Sequence, residues 1–257
     1  MHEKINDNIY RMTMPFQDVF TSVFLIKSDK GSILFDTASY DTDVENVIIP
    51  FLREHNIIPK FVLISHNHDD HSGGLKRIVK EFPEISIVSR DYGLKKEYSD
   101  YEFYFPEDGE RILDVCRVIT VPGHTKDSIA LLDERTKTFI TGDCLQLYGL
   151  FGSGEWGANI AFPKVHRLAV EKIRRLDIEE IFTAHDYHPY GYKHQGRVEI
   201  EKALDMCIEP LDKIKKLIME NPKKNDEEIR KMYDPKGELP VVGLWVISAI
   251  RKNMGGV

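Results

Sequence analysis

Apolar positions recur along this chain with two spacings. Some run together or alternate for five or six residues and stop at a turn signal, which predicts strands. Others return every three or four residues, which predicts helices. Residues 23–27 (VFLIK) and 32–37 (SILFDT) flank the turn SDKG and read as an antiparallel hairpin. Residues 42–55 place Val44, Val47, Ile48, Phe51 and Leu52 on one helical face, with Thr42 as the expected cap. A buried strand follows at 60–65, a helix at 74–82 and a strand at 85–89. Further on, 117–121, 128–133 and 136–142 read as strands, 164–176 as an amphipathic helix, and 179–185 as a short strand. From about residue 196 the spacing is helical throughout, with helices expected at 196–221, 226–233 and 241–254. The last of these, VVGLWVISAIRKNM, is apolar enough that it must bury against something.

Paired strands followed by strands alternating with helices predict an α/β fold: two mixed β-sheets with helices outside. That domain is expected to occupy residues 1–195, with 196–257 as a helical C-terminal extension packed on it. Composition narrows the function classes. A net charge of −7 with no basic block disfavours nucleic acid as a partner. The three cysteines, Cys116, Cys144 and Cys207, are too scattered for a disulfide framework and suit a reducing compartment. No apolar run approaches the roughly 20 residues of a membrane span, and the N-terminus lacks an apolar signal core. A cytoplasmic protein acting on a small molecule is expected, with self-association left open.

The chemistry concentrates in ISHNHDDHSGG, residues 64–74, where a strand gives way to a helix. Ligand sites gather at such strand ends in α/β sheets. Imidazoles and carboxylates are costly to bury without partners, so this crowding is either a solvated loop or a metal site. On a strand, His66 and His68 point the same way and can share one ion, with Asn67 turned away. After a bend, Asp70 and His71 can face a second ion, while Asp69 is expected to face solvent or to support a ligand from behind rather than bind an ion itself. Three more ligand types follow apolar strands: His124 in VPGHTKDS, Asp143 in FITGDCLQ and His185 in IFTAHDYHP. Five of the chain's ten histidines are used in this way.

The succession HNHDDHSGG, PGHT, TGD and AH resembles the metallo-β-lactamase superfamily, and most of all its glyoxalase II-type hydrolase branch. The resemblance covers roughly residues 23–185. It implies an αββα sandwich with a dinuclear metal site at one edge. Carried over by position, His66, His68 and His124 would hold one metal. Asp70, His71 and His185 would hold the other, and Asp143 would bridge both. His188 competes with His185, which is preferred because it follows the strand directly. Asp36, in ILFDTA, would orient a ligand histidine.

The implied reaction is hydrolysis of an ester, thioester or lactone of a small metabolite by a hydroxide held between two divalent ions. Zinc is expected, with iron or manganese possible. Asp70 and Asp143 would be the catalytic carboxylates. The bridging carboxylate argues against β-lactams as the main substrate. Phosphodiester hydrolysis is an alternative within enzymes. Di-iron redox chemistry or a non-catalytic metal sensor are alternatives outside hydrolysis. Cys144 reads as a small buried residue rather than a nucleophile. The glycine-rich, aromatic stretch 147–162 reads as a lid, with Tyr148, Phe151 and Trp156, along with His188, as possible substrate contacts. Tyr187, Tyr190, His188 and His194 could line a cleft or pack under the C-terminal helices.

Overall fold

The computed structural model describes residues 2–16, 19–147, 160–187, 190–237 and 242–254. Tyr148, Phe151, Trp156 and His188 therefore lie outside the described residues, as does most of the expected lid.

Two sheets form the centre. The first runs in the order β1 (His2–Lys4), β2 (Ile9–Phe16), β3 (Val19–Ser28), β4 (Gly31–Phe35), β5 (Phe61–Leu63), β6 (Ser86–Val88), β7 (Phe103–Tyr104). Its first four strands are antiparallel and the rest parallel. The second contains β8 (Arg111–Ile112), β9 (Cys116–Thr120), β10 (Ile129–Asp133), β11 (Thr138–Ile140), β12 (Glu180–Phe182) and β13 (Lys193–Gln195). It is ordered β13-β12-β11-β10-β9-β8, with only β11 and β12 parallel.

Period-two alternation places the central strands between two apolar layers, whereas the edge strand β1 is exposed. On β3, Phe24 and Ile26 face the other sheet, where they meet Val118, Ile129, Leu131 and Phe182. Val23 and Leu25 face the opposite way, toward Val44, Ile48 and Leu52. A strand buried on both faces is apolar throughout, which is why VFLIK carries no polar interruption until its end. The first sheet's outer face is covered by α1 (Asp41–Asp43), a π-helical turn (Val44–Ile48) and α2 (Ile49–Glu54), then α3 (Asp69–Ser72), α4 (Leu75–Glu81) and α5 (Tyr92–Glu97). The second sheet's outer face is covered by α6 (Pro163–Ile173) and the first half of α7 (Arg197–Glu220). The result is an αββα sandwich. The later half of α7 forms a separate apolar cluster with Ile160, α8 (Asp226–Tyr233) and α9 (Leu244–Met254). Helix α7 thus belongs to both clusters, through Leu204 in one and Ile214 in the other.

Several local expectations need correction. Thr42 lies within its helix and does not cap it; the chain enters at Tyr40, whose N–H donates to Asp43 Oδ2 (3.1 Å). The middle of that helix widens to a π turn just ahead of Pro50, which has no N–H to give to the preceding turn. The strand expected at 60–65 leaves the sheet after Leu63, and the one expected at 179–185 leaves after Phe182. β2 was not foreseen, although Tyr10, Met12, Met14 and Phe16 alternate with Arg11 and Thr13 in the period of a strand.

Candidate metal centre

The seven ligand-type residues converge at one end of the sandwich. Beyond β5 the chain bends, so His66 and His68 sit on a loop, not on a strand as expected. They converge nonetheless, because the backbone turns at His68 to begin α3 and carries Asp70 and His71 in that helix's first turn. Gly73 permits this packing: a Cβ there would lie 2.1 Å from the Ser39 carbonyl oxygen. Thr37 then holds the turn, donating from N–H (2.7 Å) and Oγ1 (3.0 Å) to the His71 carbonyl.

Three imidazole nitrogens form one triangle. His66 Nε2 lies 3.0 Å from His68 Nδ1, and His124 Nε2 lies 3.1 and 3.0 Å from those two atoms. Three nitrogens about 2.0–2.1 Å from a tetrahedral ion would stand about 3.3 Å apart, so the triangle fits an ion with a small outward adjustment. The second set is Asp70 Oδ2, His71 Nε2 and His185 Nε2, with Asp70 Oδ2 3.3 and 3.2 Å from the two imidazoles. Asp143 stands between the sets. Its Oδ1 is 3.3 Å from His71 Nε2 and 3.1 Å from His185 Nε2, whereas Oδ2 faces His124 Nε2 at 3.6 Å. Each set could hold a metal ion.

The donor chemistry passes a further test. His71 Nε2 and Asp143 Oδ1 are buried and make no hydrogen bond, although they lie side by side. Buried polar atoms of this kind require a partner, and a shared cation is one that suits both. Burial disfavours charge on His71 and His185, but the carboxylates outweigh it. Asp70, Asp143 and Asp36 raise His71 well above the usual imidazole range, and Asp143 and Asp70 raise His185 to about 9. Conversely, His185 and His71 hold the Asp143 carboxyl well below its usual range against the effect of burial. Protons thus balance in the second set the charge that a cation would balance. Among the imidazoles of the first set, burial and the neighbouring rings push His66 well down, which leaves it neutral and ready to donate its lone pair.

The rings are oriented from behind. Asp36, buried and in the left-handed region (φ 64°), accepts from His71 Nδ1 (2.8 Å), Ser65 N (2.7 Å) and Ser65 Oγ (2.9 Å). With its hydrogen given to Asp36, Ser65 Oγ accepts from His66 Nδ1 (3.0 Å). One carboxylate therefore orients one imidazole of each set. Ser65 went unnoticed in the sequence, though it directly precedes the histidine run. It also explains the glycine of TGD: a Cβ on Gly142 (φ 53°) would lie 2.7 Å from Ser65 Cβ. His185 Nδ1 donates to the Phe20 carbonyl (2.8 Å), which turns Nε2 toward the carboxylates.

A second missed residue is Arg11. Its guanidinium is buried between Tyr192 (3.7 Å to the ring centre) and Phe20 (4.7 Å), and Nε donates to Ser22 Oγ (3.0 Å). A lone cation in an apolar strand was the available signal.

The remaining expectations divide. Asp69 is exposed and outside every ligand set, and Asn67 turns away to donate to Asp91 Oδ1 (3.3 Å). Cys144 is buried, and burial pushes its thiol well up, so it is not a thiolate. Tyr187 is buried in the apolar layer beneath α7, Tyr190 packs at that layer's edge, and His194 is buried on β13.

A family model described as the metallo-beta-lactamase superfamily matches residues 17–185. The hydroxyacylglutathione hydrolase of Francisella philomiragia is 27% identical over 174 residues, 64% of this chain and 62% of that protein. That of Aliivibrio salmonicida is 30% identical over 144 residues, 54% of this chain and 53% of that protein. The beta-lactamase-like protein 2 homolog of Caenorhabditis elegans is 26% identical over 195 residues, 71% of this chain and 63% of that protein. The aligned region thus spans between about half and two thirds of these relatives. Among solved structures, the metallo-beta-lactamase of Erythrobacter litoralis superposes with a TM-score of 0.64 at 17% identity, over 81% of this chain and 96% of that one. The enzyme of Pontibacter korlensis gives 0.63 at 18% identity, over 80% and 98%. These two likenesses establish a shared fold.

Proposed function

Since the chain belongs to the metallo-beta-lactamase superfamily, we propose that it is a dinuclear metal-dependent hydrolase of small esters, thioesters or lactones. The single observation that carries this reading is the placement of Asp143, with one carboxylate oxygen toward each donor set. The relatives named hydroxyacylglutathione hydrolase put thioesters first among the substrates.

His66, His68 and His124 would hold one ion; Asp70, His71 and His185 the other; Asp143 would touch both. Imidazole and carboxylate donors suit zinc, and also iron or manganese. When bound, such a pair supplies a water acidic enough to lose its proton near neutral pH and positive charge for a developing oxyanion. The chain's own contribution is to fix the direction of each donor: His66 is already neutral, and His71 and His185 would give up their Nε2 protons to bind a cation. Asp36 holds the His71 proton on Nδ1, Ser65 does the same for His66, and the Phe20 carbonyl does so for His185. Each leaves Nε2 free to face the centre. With its proton held by burial, Cys144 offers no competing thiolate nucleophile. No helix among the described residues is long and apolar enough to cross a membrane.

The test is a panel of thioester, ester, lactone, β-lactam and phosphodiester substrates offered to protein of measured metal content. Turnover of a carboxylic-acid derivative that rises with the second equivalent of metal supports the reading. Turnover of phosphodiesters alone, or none at full loading, overturns it.

A further inference from the structure

Helices α6, α7 and α9 line a half-open cavity of about 470 Å3, and none of its described lining residues belongs to the metal sets. Its volume lies in the range of small-molecule pockets. The floor is apolar: Leu211 and Ile250 are 6% and 4% exposed. One wall is Met219, which is 63% exposed and so holds a large, adaptable apolar side chain in water. The rim is cationic. Lys164 and Lys215 line it, are exposed, and form no ion pair among the described residues, whereas Arg167 is paired with Asp212. Among the described lining residues, three cations against one carboxylate make a locally positive mouth on a chain of net charge −7. Such charge attracts anions, and the apolar floor rewards a hydrocarbon body.

We propose that this cavity binds a single anionic amphiphile, with a carboxylate or comparable head between Lys164 and Lys215 and an alkyl chain on Leu211, Met219 and Ile250. The site is separate from the metal centre, and α6 only packs against the loop that carries His124. His166 of that helix packs against Gly123, beside His124, where a Cβ on the glycine would lie 2.6 Å from His166 Cβ.

Calorimetric titration of the full chain with monomeric decanoate tests the proposal. It is run on chelated and on zinc-loaded protein, since a carboxylate can also bind metal. One decanoate per chain is expected in both states. Binding should weaken at least about tenfold in Lys164→Glu/Lys215→Glu and several-fold in Met219→Asn. These three side chains are solvent-facing, and unchanged thermal melts confirm that the variants fold. Decyltrimethylammonium, with a similar chain and opposite charge, should not bind. Equal binding of both amphiphiles, unchanged affinity in the lysine variant, or loss of binding on chelation would each overturn the proposal. So would binding to vesicles of anionic phospholipid with none to monomeric decanoate, which would make this face a membrane-contact surface.

Discussion

Replacing Asp36 with Asn should weaken metal binding at both sets, although Asp36 belongs to neither. Three donors converge on this carboxylate: His71 Nδ1 and the Ser65 hydroxyl on Oδ2, and the Ser65 amide on Oδ1. An amide supplies only one acceptor oxygen, so whichever way the new side chain sits, its NH2 faces at least one existing donor. Asn is the informative substitution because, like Asp, it tolerates the left-handed backbone at this position (φ 64°). If the NH2 takes the Oδ2 place, His71 must move its proton to Nε2 to accept, and Nε2 is the atom aimed at Asp70 and Asp143. An unsatisfied buried donor costs about 1–3 kcal/mol, equivalent to roughly 5–150-fold in a binding constant. Changes of this kind behind ligand histidines cost about 10–100-fold in affinity. Titration against a competing chelator, with a thermal melt alongside, resolves the two binding steps. Asp36→Asn should weaken both, since Ser65 relays to His66. Ser65→Ala, which keeps the Asp36–His71 contact, should weaken mainly the step that uses His66. Two unchanged steps in Asp36→Asn would refute the reasoning, and so would equal loss at both steps in Ser65→Ala.

Other outcomes follow from the same geometry. Arg11→Met removes the cation between Phe20 and Tyr192 and should loosen the Phe20 carbonyl that anchors His185, lowering affinity for one ion while the first triangle keeps its own; equal loss of both would mean general unfolding. In chelated protein, His185 is raised from 6.5 to about 9, so its contribution is full below about pH 6.5 and lost as pH rises through 9. The melting temperature of the chelated protein should therefore fall between pH 6.5 and 9, while zinc-loaded protein resists that fall; parallel curves would contradict the assignment. Cys144→Ala should leave the hydrolytic rate within about twofold at a modest cost in stability, and loss of turnover with fold and metals intact would return the thiol to the mechanism.

How far the site could be read from sequence depended on what kind of signal each residue left. His124, Asp143 and His185 were legible because each follows an apolar strand, and strand ends share one rim of the sandwich. The cluster from His66 to His71 was legible as chemistry, but the mechanism of convergence was misread: β5 stops at Leu63, and a loop bend, not strand alternation, brings His66 and His68 together. Helix α7 matched closely because its 24 residues repeat the apolar spacing many times, and α8 because Asn225 and Glu228 cap its start. Strands of two or three residues, such as β7, β8 and β13, carry too few positions to show a period. Ser65 works through Asp36, 29 residues earlier, and Arg11 through Phe20, Ser22 and Tyr192, and no local pattern encodes those pairings. Asp36 was found through family resemblance, not from its own surroundings.

The central claim is that Asp143 stands between two ions. Metal content measured by elemental analysis on Asp143→Asn beside the parent chain, each reconstituted with zinc and desalted, tests it most directly. The parent should hold two ions per chain and the variant at most one, with a fall in hydrolysis by orders of magnitude. Two tightly held ions in the variant, or fewer than one in the parent, would contradict it.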